Sequence, residues 1–255
     1  MLEVFATNQL YVTLLGQTFS EVEPHDIEWY KESVENYVEI EQCIAVLSDF
    51  KANCSYYYKG SFGNQFGFSV ADHFTDCAFE EFIFSKIHPE DLIERHILEL
   101  NYFYFLKDLP QKEHHKYTTF CRIRILDAQG NYSYATHRTI YLKNFSNGSV
   151  WLALCLYSAS HSTQTASGTD AQIVNVQTGE KVMFNKYSRY KEKFLSQREI
   201  EILRLVGEGK NSNEIARQLY ISVYTVRRHR QNIITKMKVS NATEAVKIGI
   251  TMGIL

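Results

Sequence analysis

The chain has 255 residues, 45% of them hydrophobic and three of them proline, and its formal net charge is -2. This composition predicts a globular protein and excludes a disordered chain, and the length favours two domains. The small net charge hides an uneven distribution. From Lys186 onward, 14 Lys and Arg residues stand against 6 Asp and Glu, whereas residues 1–185 hold 13 against 23. The basic end therefore indicates a polyanionic partner.

The N-terminus and the cysteines predict a soluble, cytoplasmic protein. Glu3 stands where a signal peptide carries a basic residue. The uncharged run Val4–Ser20 has 17 residues and many polar ones, which is too short and too polar to cross a bilayer. The five cysteines are odd in number and form no C-x-x-C pair. We therefore expect no disulfide framework, no metal site and no membrane partner.

Helix and strand patterns alternate through the first part of the chain. Residues 24–42 have apolar side chains at helical spacing, and residues 43–59 hold two short apolar runs around a turn, which predicts a hairpin. The Gly-rich residues 60–68 predict a loop. Residues 76–86 and 90–106 are predicted as helices, the second with an apolar stripe at i, i+3/i+4.

After Pro110 the apolar period changes to two. We predict three antiparallel strands at 117–126, 131–142 and 149–157. Asp127–Gly130 and Asn147-Gly148 are predicted to connect them by turns. The Ser/Thr-rich residues 158–170 are predicted as a linker, and residues 171–185 as one more hairpin.

Capping residues divide residues 194–255 into four predicted helices. Ser196 and Glu199 form a capping box for the first, which ends at Gly207 or Gly209. The remaining boundaries are Asn211 or Ser212 to Leu219, Ser222 to about Met237, and Asn241 with Glu244 onward.

The third of these helices has two contrasting sides. Val226, Ile233 and Met237 lie within about 20° of one direction when the residues are projected at 100° each, which predicts a core face. The opposite side has no acidic residue and is predicted to read DNA bases through Tyr224, Arg227, Arg228, Gln231 and Thr235. Arg pairs with guanine and Gln with adenine through two hydrogen bonds each. Taken alone, such a face is equally compatible with a merely solvated basic surface.

This segment resembles the LuxR/FixJ-type helix-turn-helix domain. The matching stretches are L-S-x-R-E-x-E-x-L from Leu195, G-x-G-K from Gly207, E-I-A-x-x-L from Glu214 and I-S-x-x-T-V-x-x-H from Ile221. The resemblance implies that Val223–Met237 is the recognition helix. Asn213 stands where the family often has Lys, so that phosphate contact is not carried over.

Two further groups of residues complete the predicted interface. Phosphate contacts are expected from Ser222, Thr225, His229, Asn232, Lys236 and Lys210. The resemblance implies a dimer contact on the fourth helix through Ala242, Ala245, Val246 and Gly249.

The N-terminal part resembles a PAS domain in the order helix, hairpin, short helices, longer helix and three strands. The resemblance is carried by Phe62–Phe74, Ile87–Asp91 and the turn at Asp127–Gly130. It implies an interior that either holds a small ligand or is filled by aromatic rings, here Tyr56, Tyr57, Tyr58, Phe66, Phe79, Phe82, Phe84 and Phe103. No flavin-type cysteine motif occurs, and His96 is interpreted as a core residue rather than a haem ligand, so no cofactor is predicted.

We therefore predict an α+β protein with an N-terminal PAS-like antiparallel sheet and a C-terminal four-helix domain. The domain boundaries are 1–39, an N-terminal helical extension; 40–160, the PAS-like domain; 161–193, a linker with a hairpin; and 194–255, the DNA-binding domain. The predicted function is a sequence-specific transcriptional regulator with double-stranded DNA, a second copy of the chain and RNA polymerase as partners. A PAS-based protein-interaction adaptor with non-specific DNA docking is the alternative. Enzyme motifs are absent from the sequence.

Overall fold

The computed structural model describes residues 2–20, 27–67, 74–160, 169–182, 195–237, 239–251 and 255. The chain divides into two compact units. The sheet unit is Ala6–Val182, and the C-terminal unit takes Met183–Leu255 together with Met1–Phe5. The α+β fold class, an antiparallel sheet with helices followed by a helical segment, is confirmed. Within the described ranges, no helix is both long and apolar enough to cross a membrane.

The elements before the C-terminal unit follow the predicted order. The helices are α1 Leu2–Leu15, α2 Ile27–Glu41, α3 Glu81–Phe84 and α4 Pro89–Lys107, and the strands are β1 Ile44–Asp49, β2 Cys54–Lys59, β3 Phe74–Thr75, β4 Tyr117–Leu126, β5 Tyr132–Asn144, β6 Val150–Ala159 and β7 Gln172–Asn175. Short 3-10 helices span Ser61–Phe66 and Gln111–Lys116. The helix predicted at 24–42 is confirmed over Ile27–Glu41, and residues 24–26 lie outside the described residues. The predicted helix at 90–106, the hairpin at 43–59 and the three strands are confirmed.

Two local predictions need correction. The predicted loop at 60–68 contains a 3-10 helix, which ends where Gly67 adopts a φ of 68°. The helix predicted at 76–86 is restricted to its second half. Glu80 has a non-helical backbone, and its side chain instead contacts Arg95 in the interior, so α3 begins only at Glu81.

The sheet has the strand order β3-β2-β1-β6-β5-β4-β7 and is covered on both faces. On one face, Val34 and Val38 of α2 pack against Ala45, Leu154 and Leu156. On the other face, α4 packs on β4 and β7, Arg95 reaches Cys155 of β6, and the helix buries its own polar stripe, described below. All six residues of β1 and the first eight of β6 are buried, so these two neighbouring strands form the centre of the unit, whereas buried and half-buried residues alternate along β5.

The hairpin predicted within the linker contributes a strand to the sheet. β7 pairs antiparallel with the first residues of β4, from Tyr117 to Phe120, and Val174 forms a bridge with Lys181. Ile173 is fully buried there, and the Thr169 carbonyl accepts a hydrogen bond of 2.7 Å from the Arg122 amide. The remainder of the predicted linker, 161–168 and 183–193, lies outside the described residues.

A buried ion-pair cluster lies between α4 and the sheet. The Arg95 guanidinium bonds to Glu80 and lies 3.3 Å from a carboxylate oxygen of Glu99, and all three side chains are at most 4% exposed. Tyr157 donates a 2.8 Å hydrogen bond to Glu80. Burial raises the pKa of Glu99 to about 7, although Arg95 opposes the change. The cluster therefore places two carboxyl groups around one buried cation.

Three side chains of types that commonly bind metal ions also lie close together in this interior. One ligand atom each of Glu80, His137 and Cys155 lies within 4.8 Å of the other two. The Arg95 guanidinium lies 3.5 Å from the Cys155 sulfur and already supplies positive charge to this cluster. Burial and the charge of Arg95 lower the pKa of His137, so its imidazole is neutral. The residues are explained as parts of the ion-pair cluster.

The predicted aromatic interior is correct for some rings and wrong for others. Phe66, Phe79, Phe84 and Phe103 are buried. Phe82 is 44% exposed, because it lies on the outer side of the short helix α3. Tyr56 and Tyr58 pack on the α2 side of the sheet rather than beneath α4. His96 is a core residue, as predicted: it is fully buried and its Nδ1 lies 3.1 Å from the Thr7 hydroxyl.

The C-terminal unit contains the four predicted helices. They are α5 Gln197–Gly207, α6 Ser212–Gln218, α7 Val223–Met237 and α8 Ala242–Thr251. Capping boxes of Ser196 with Glu199 and of Asn211 with Glu214 begin α5 and α6. These caps satisfy the amide groups that the first turn leaves unpaired, which is why the sequence located the helix starts closely.

Candidate nucleic-acid interface

The proposed recognition helix α7 is anchored along one side. Val226, Ile233 and Met237 are each at most 3% exposed, which confirms the predicted core face. They lie in a domain core that also contains Leu203 and Ile215, from α5 and α6. With this side held by apolar packing, the direction of the opposite side is fixed by helix geometry.

The opposite side of α7 presents the predicted base-reading residues to solvent. All five are exposed: Tyr224, Arg227, Arg228, Gln231 and Thr235. Tyr224 is 77% exposed, although it is a large aromatic residue. The helix contains no acidic residue, so no carboxylate on it competes for the two arginines. The surface can therefore donate hydrogen bonds to bases and stack an aromatic ring.

The turn before α7 adds two exposed residues that the sequence analysis did not select. Tyr220 is 95% exposed and has a left-handed φ of 52°. Arg217 is also exposed, and both line a concave surface between α6 and the first turn of α7 that includes Asn213 and Ser222. The sequence did contain a signal for these two residues. Arg217 lies in the last turn of α6, and Tyr220 directly precedes the matched I-S stretch at Ile221.

The predicted phosphate contacts differ in their availability. Lys236 donates a 2.7 Å bond to the buried carboxylate of Glu199, and the Ser222 hydroxyl accepts a 3.0 Å bond from the Thr225 amide. Both groups thus already stabilise the fold. His229 is half-buried, and its Nδ1 has no hydrogen-bond partner among the described residues.

The other two predicted phosphate contacts, Asn232 and Lys210, are half-buried. Arg230, which is not among the predicted contacts, reaches back to α6 and donates a 3.3 Å hydrogen bond to the Ser212 hydroxyl. The phosphate-contacting set stays a prediction.

Glu199 connects the start of α5 to the end of α7. Its carboxylate accepts bonds from the Ser196 amide at 2.7 Å and from Lys236 at 2.7 Å. Burial alone would raise its pKa, but the bonds from Lys236 and Ser196 outweigh burial and lower the pKa below its ordinary value. Glu199 is therefore ionised at neutral pH and helps to hold α7 in place.

The predicted dimer residues on α8 divide into two buried and two half-buried positions. Ala245 is fully buried, and a Cβ on Gly249 would lie 3.2 Å from Leu203 and Leu255. These two positions face the unit's own core, because α8 packs closely on α5 through small residues. Ala242 and Val246 are half-buried. A dimer contact through α8 stays a prediction, and its accessible part lies outside Ala245 and Gly249.

The C-terminal unit thus has a short helix, α6, joined by a tight turn to the longer α7, which has an exposed basic side, and this arrangement defines a helix-turn-helix DNA-binding domain. Residues 193–248 match the family model GerE, bacterial regulatory proteins of the luxR family. This C-terminal segment is a LuxR-family helix-turn-helix domain.

Known relatives share this segment. The chain is 47% identical over 51 residues to the transcriptional regulatory protein LiaR of Bacillus subtilis (strain 168), covering 20% of this chain and 24% of LiaR. It is 40% identical over 63 residues to the oxygen regulatory protein NreC of Staphylococcus aureus (strain JH9), covering 25% and 29%. The chain thus spans under a third of the length of either relative.

A longer alignment exists with a solved structure. The VqmA dimer of Vibrio cholerae, described as a LuxR-type receptor, aligns with 87% of this chain and 88% of its own at 15% identity and a TM-score of 0.30.

Proposed function

We propose that the protein is a sequence-specific DNA-binding transcriptional regulator. The observation that carries this proposal is the exposed, acid-free Arg/Gln side of α7, held by a buried core side within a LuxR-family domain. Arg228 and Gln231 read base edges, and neighbouring polar and basic groups contact phosphates. The protein acts as a homodimer in the cytoplasm, with two recognition helices about 34 Å apart on a two-fold-related site.

The sheet unit is proposed to be a PAS-like module that senses a small ligand or mediates dimerisation. Its element order supports this role, since helix, hairpin, short helices, long helix and three antiparallel strands occur as the resemblance implies. RNA polymerase is a further proposed partner. None of the proposed roles requires a catalytic step.

Selection from random DNA duplexes tests the regulator against the adaptor alternative. A regulator enriches a defined two-fold-related motif, whereas an adaptor with non-specific docking gives flat enrichment that disappears with salt. Arg228→Ala and Gln231→Ala should each relax the preference at one base position, by roughly 1–3 kcal/mol. Arg204→Ala, which removes an exposed positive charge from α5, is the matched control and should leave the motif unchanged.

The reading side of α7 would be wrongly assigned if both α7 variants weakened binding to every duplex equally. A motif that persisted unchanged in all three variants would contradict the assignment as well.

A further inference from the structure

We propose that Tyr220 contacts the DNA backbone, with its ring against a deoxyribose and its hydroxyl donating a hydrogen bond to a phosphate, and that the turn before α7 retains this residue at a cost in stability. The inference rests on the proposed DNA-binding function and deepens it by adding a contact that selects no sequence. Three observations carry it: a strained backbone, a ring without packing, and a neighbouring surface without acidic groups.

Tyr220 occupies a position at the end of α6 where glycine is usual. The Ile221 amide donates to the Ala216 carbonyl at 3.1 Å, and the Tyr220 amide donates to the Arg217 carbonyl at 3.4 Å. These two bonds form a Schellman motif, in which the left-handed residue after the helix cap is usually glycine. Tyr220 takes this conformation with a φ of 52°. Because a Cβ is sterically unfavourable there, tyrosine is less stable than glycine at this position.

The end of α5 provides a comparison within the same unit. There the Lys210 amide donates to the Leu205 carbonyl at 3.0 Å, and the Gly209 amide donates to the Val206 carbonyl at 2.9 Å, which is the same pair of bonds. The left-handed residue of this second motif is Gly209, with a φ of 82°. The same helix end is thus built once with glycine and once, in the turn before α7, with tyrosine. The tyrosine therefore requires an explanation other than the turn itself.

Packing of the Tyr220 ring does not offset the strain of its backbone. The residue is 95% exposed, which exceeds the exposure of Tyr224 and of every other large hydrophobic residue in the described part of the chain. An aromatic ring that stays in water gains nothing from burial. Backbone strain is usually retained where it serves binding, so a strained residue with a fully exposed ring indicates a contact with another molecule.

The surface beside Tyr220 has the chemistry to contact an anion. The described residues that line this concave surface between α6 and the first turn of α7 include Arg217 and no Asp or Glu. Arg217 is exposed, and Glu214, the acidic residue of α6, accepts a 2.7 Å bond from the Asn211 amide in its capping box. The guanidinium and the phenol hydroxyl are both hydrogen-bond donors. Together they suit phosphate oxygens.

The position of this surface identifies the anion as the DNA backbone. In a helix-turn-helix domain the second helix enters the major groove, and the first helix crosses the backbone. Tyr220 lies in the turn between the two helices, four residues before Tyr224 on the proposed reading side. A contact with sugar and phosphate positions a protein on DNA but does not read its sequence. Tyr220 should therefore strengthen binding to every duplex by a similar factor.

Two variants of the full chain separate the hydroxyl from the backbone strain. Tyr220→Phe removes only the hydroxyl, so affinity for every duplex should fall roughly fivefold, while hydrogen exchange of the buried α7 amides stays unchanged. Tyr220→Gly removes the ring and the strain, so affinity should fall at least as far, while the same exchange slows several-fold. A merely structural role of Tyr220 would not combine a more stable fold with weaker DNA binding.

A matched control and the salt dependence of binding sharpen the test. Tyr132→Phe removes the hydroxyl from a tyrosine of the sheet unit that is 49% exposed, so neither DNA affinity nor α7 exchange should change. The phenol of Tyr220 is neutral, so both Tyr220 variants should keep the salt slope of the unmodified protein. Arg217→Gln removes a charge from the same surface and should lower the slope by about 1.

The proposal is overturned if either Tyr220 variant binds DNA like the unmodified protein, if Tyr220→Gly speeds the exchange of α7, or if Arg217→Gln leaves the salt slope unchanged. A loss confined to one base position also overturns it, because Tyr220 would then read a base. Its failure is distinguishable from failure of the proposed regulator. A sharp DNA motif with unaffected Tyr220 variants rejects the backbone contact, whereas flat enrichment with uniformly weaker variants supports the contact and rejects the regulator.

Discussion

Replacing Arg95 by methionine tests whether an ion-pair cluster holds the interior of the sheet unit. The Arg95 side chain is 1% exposed and faces the carboxyl groups of Glu80 and Glu99, which are 2% and 3% exposed. Methionine fills similar apolar space without charge. Two buried carboxyl groups then lose their cation, although Tyr157 still donates to Glu80.

The expected loss is about 3–5 kcal/mol, because removing one partner of a buried pair leaves charge without compensation. The loss should depend on pH. Without Arg95, the pKa of Glu99 loses the opposing effect of the guanidinium, so burial raises it still further above the unfolded value of about 4.3. A raised folded pKa contributes stability that is present below the unfolded pKa and is lost as pH rises through the folded pKa. The variant should therefore be closest to the unmodified protein near pH 4 and weakest near pH 8.

Tryptophan fluorescence during urea unfolding measures this loss. Both tryptophans, Trp29 and Trp151, belong to the sheet unit, and Trp151 is 7% exposed, so the signal reports on that unit. The matched control is Arg138→Met. Arg138 is half-buried on the side of β5 that faces away from His137, and its replacement should lower the free energy of unfolding by less than about 1 kcal/mol. Equal losses for the two variants at pH 8, or a loss for Arg95→Met that does not change between pH 5 and pH 8, would refute the reasoning.

Three further predictions concern the C-terminal unit. Burial raises the pKa of Glu199, but the bond from Lys236 lowers the pKa by more, so the pKa is depressed in the folded protein. The stabilisation by Glu199 should therefore be present above about pH 4.3 and be lost as the pH falls through the folded pKa. In Glu199→Gln, the hydrogen exchange of the α5 amides should no longer depend on pH in this way. Lys236→Ala should speed the same exchange but leave the salt slope of DNA binding unchanged; a slope smaller by about 1 would instead place Lys236 on a phosphate. Gly249→Ala should lower the Tm only slightly, because the strain of a Cβ 3.2 Å from Leu203 and Leu255 is opposed by the roughly 1 kcal/mol that alanine gains over glycine inside a helix; a clearly raised Tm would show that the two Leu side chains move aside freely.

The C-terminal helices could be predicted closely because their signals are local. Ser196 with Glu199 lies within one turn of its helix, and so does Ser222 with Thr225. The spacing of Val226, Ile233 and Met237 then determines which side of α7 is exposed. A single helix of regular geometry was enough to infer both sides.

Long-range contacts explain what could not be predicted. Arg95 meets Glu80 and Tyr157, which are 15 and 62 positions away in the chain, so α4 sequence spacing alone gives no sign of a buried charge. β7 joins the sheet because β4 still has an unpaired edge, a tertiary fact. Small residues on α8 are compatible with packing on another protomer or on α5. Ala245 and Gly249 pack within their own unit, on the side of α5.

The net positive charge of the C-terminal segment is larger than the number of basic side chains that are free to contact DNA phosphates. Residues 186–255 carry 14 basic against 6 acidic residues, a net of +8. Lys236 is bonded to Glu199, Arg198 to Glu201 and the Leu219 carbonyl, and Arg230 to Ser212. These contacts hold helices in place, so the salt slope per protomer should fall well below the value that eight phosphate contacts would give, about 7. On this view the exposed Arg227 and Arg228 contribute mainly to sequence selection, and Lys236, Arg198 and Arg230 maintain the geometry that presents them.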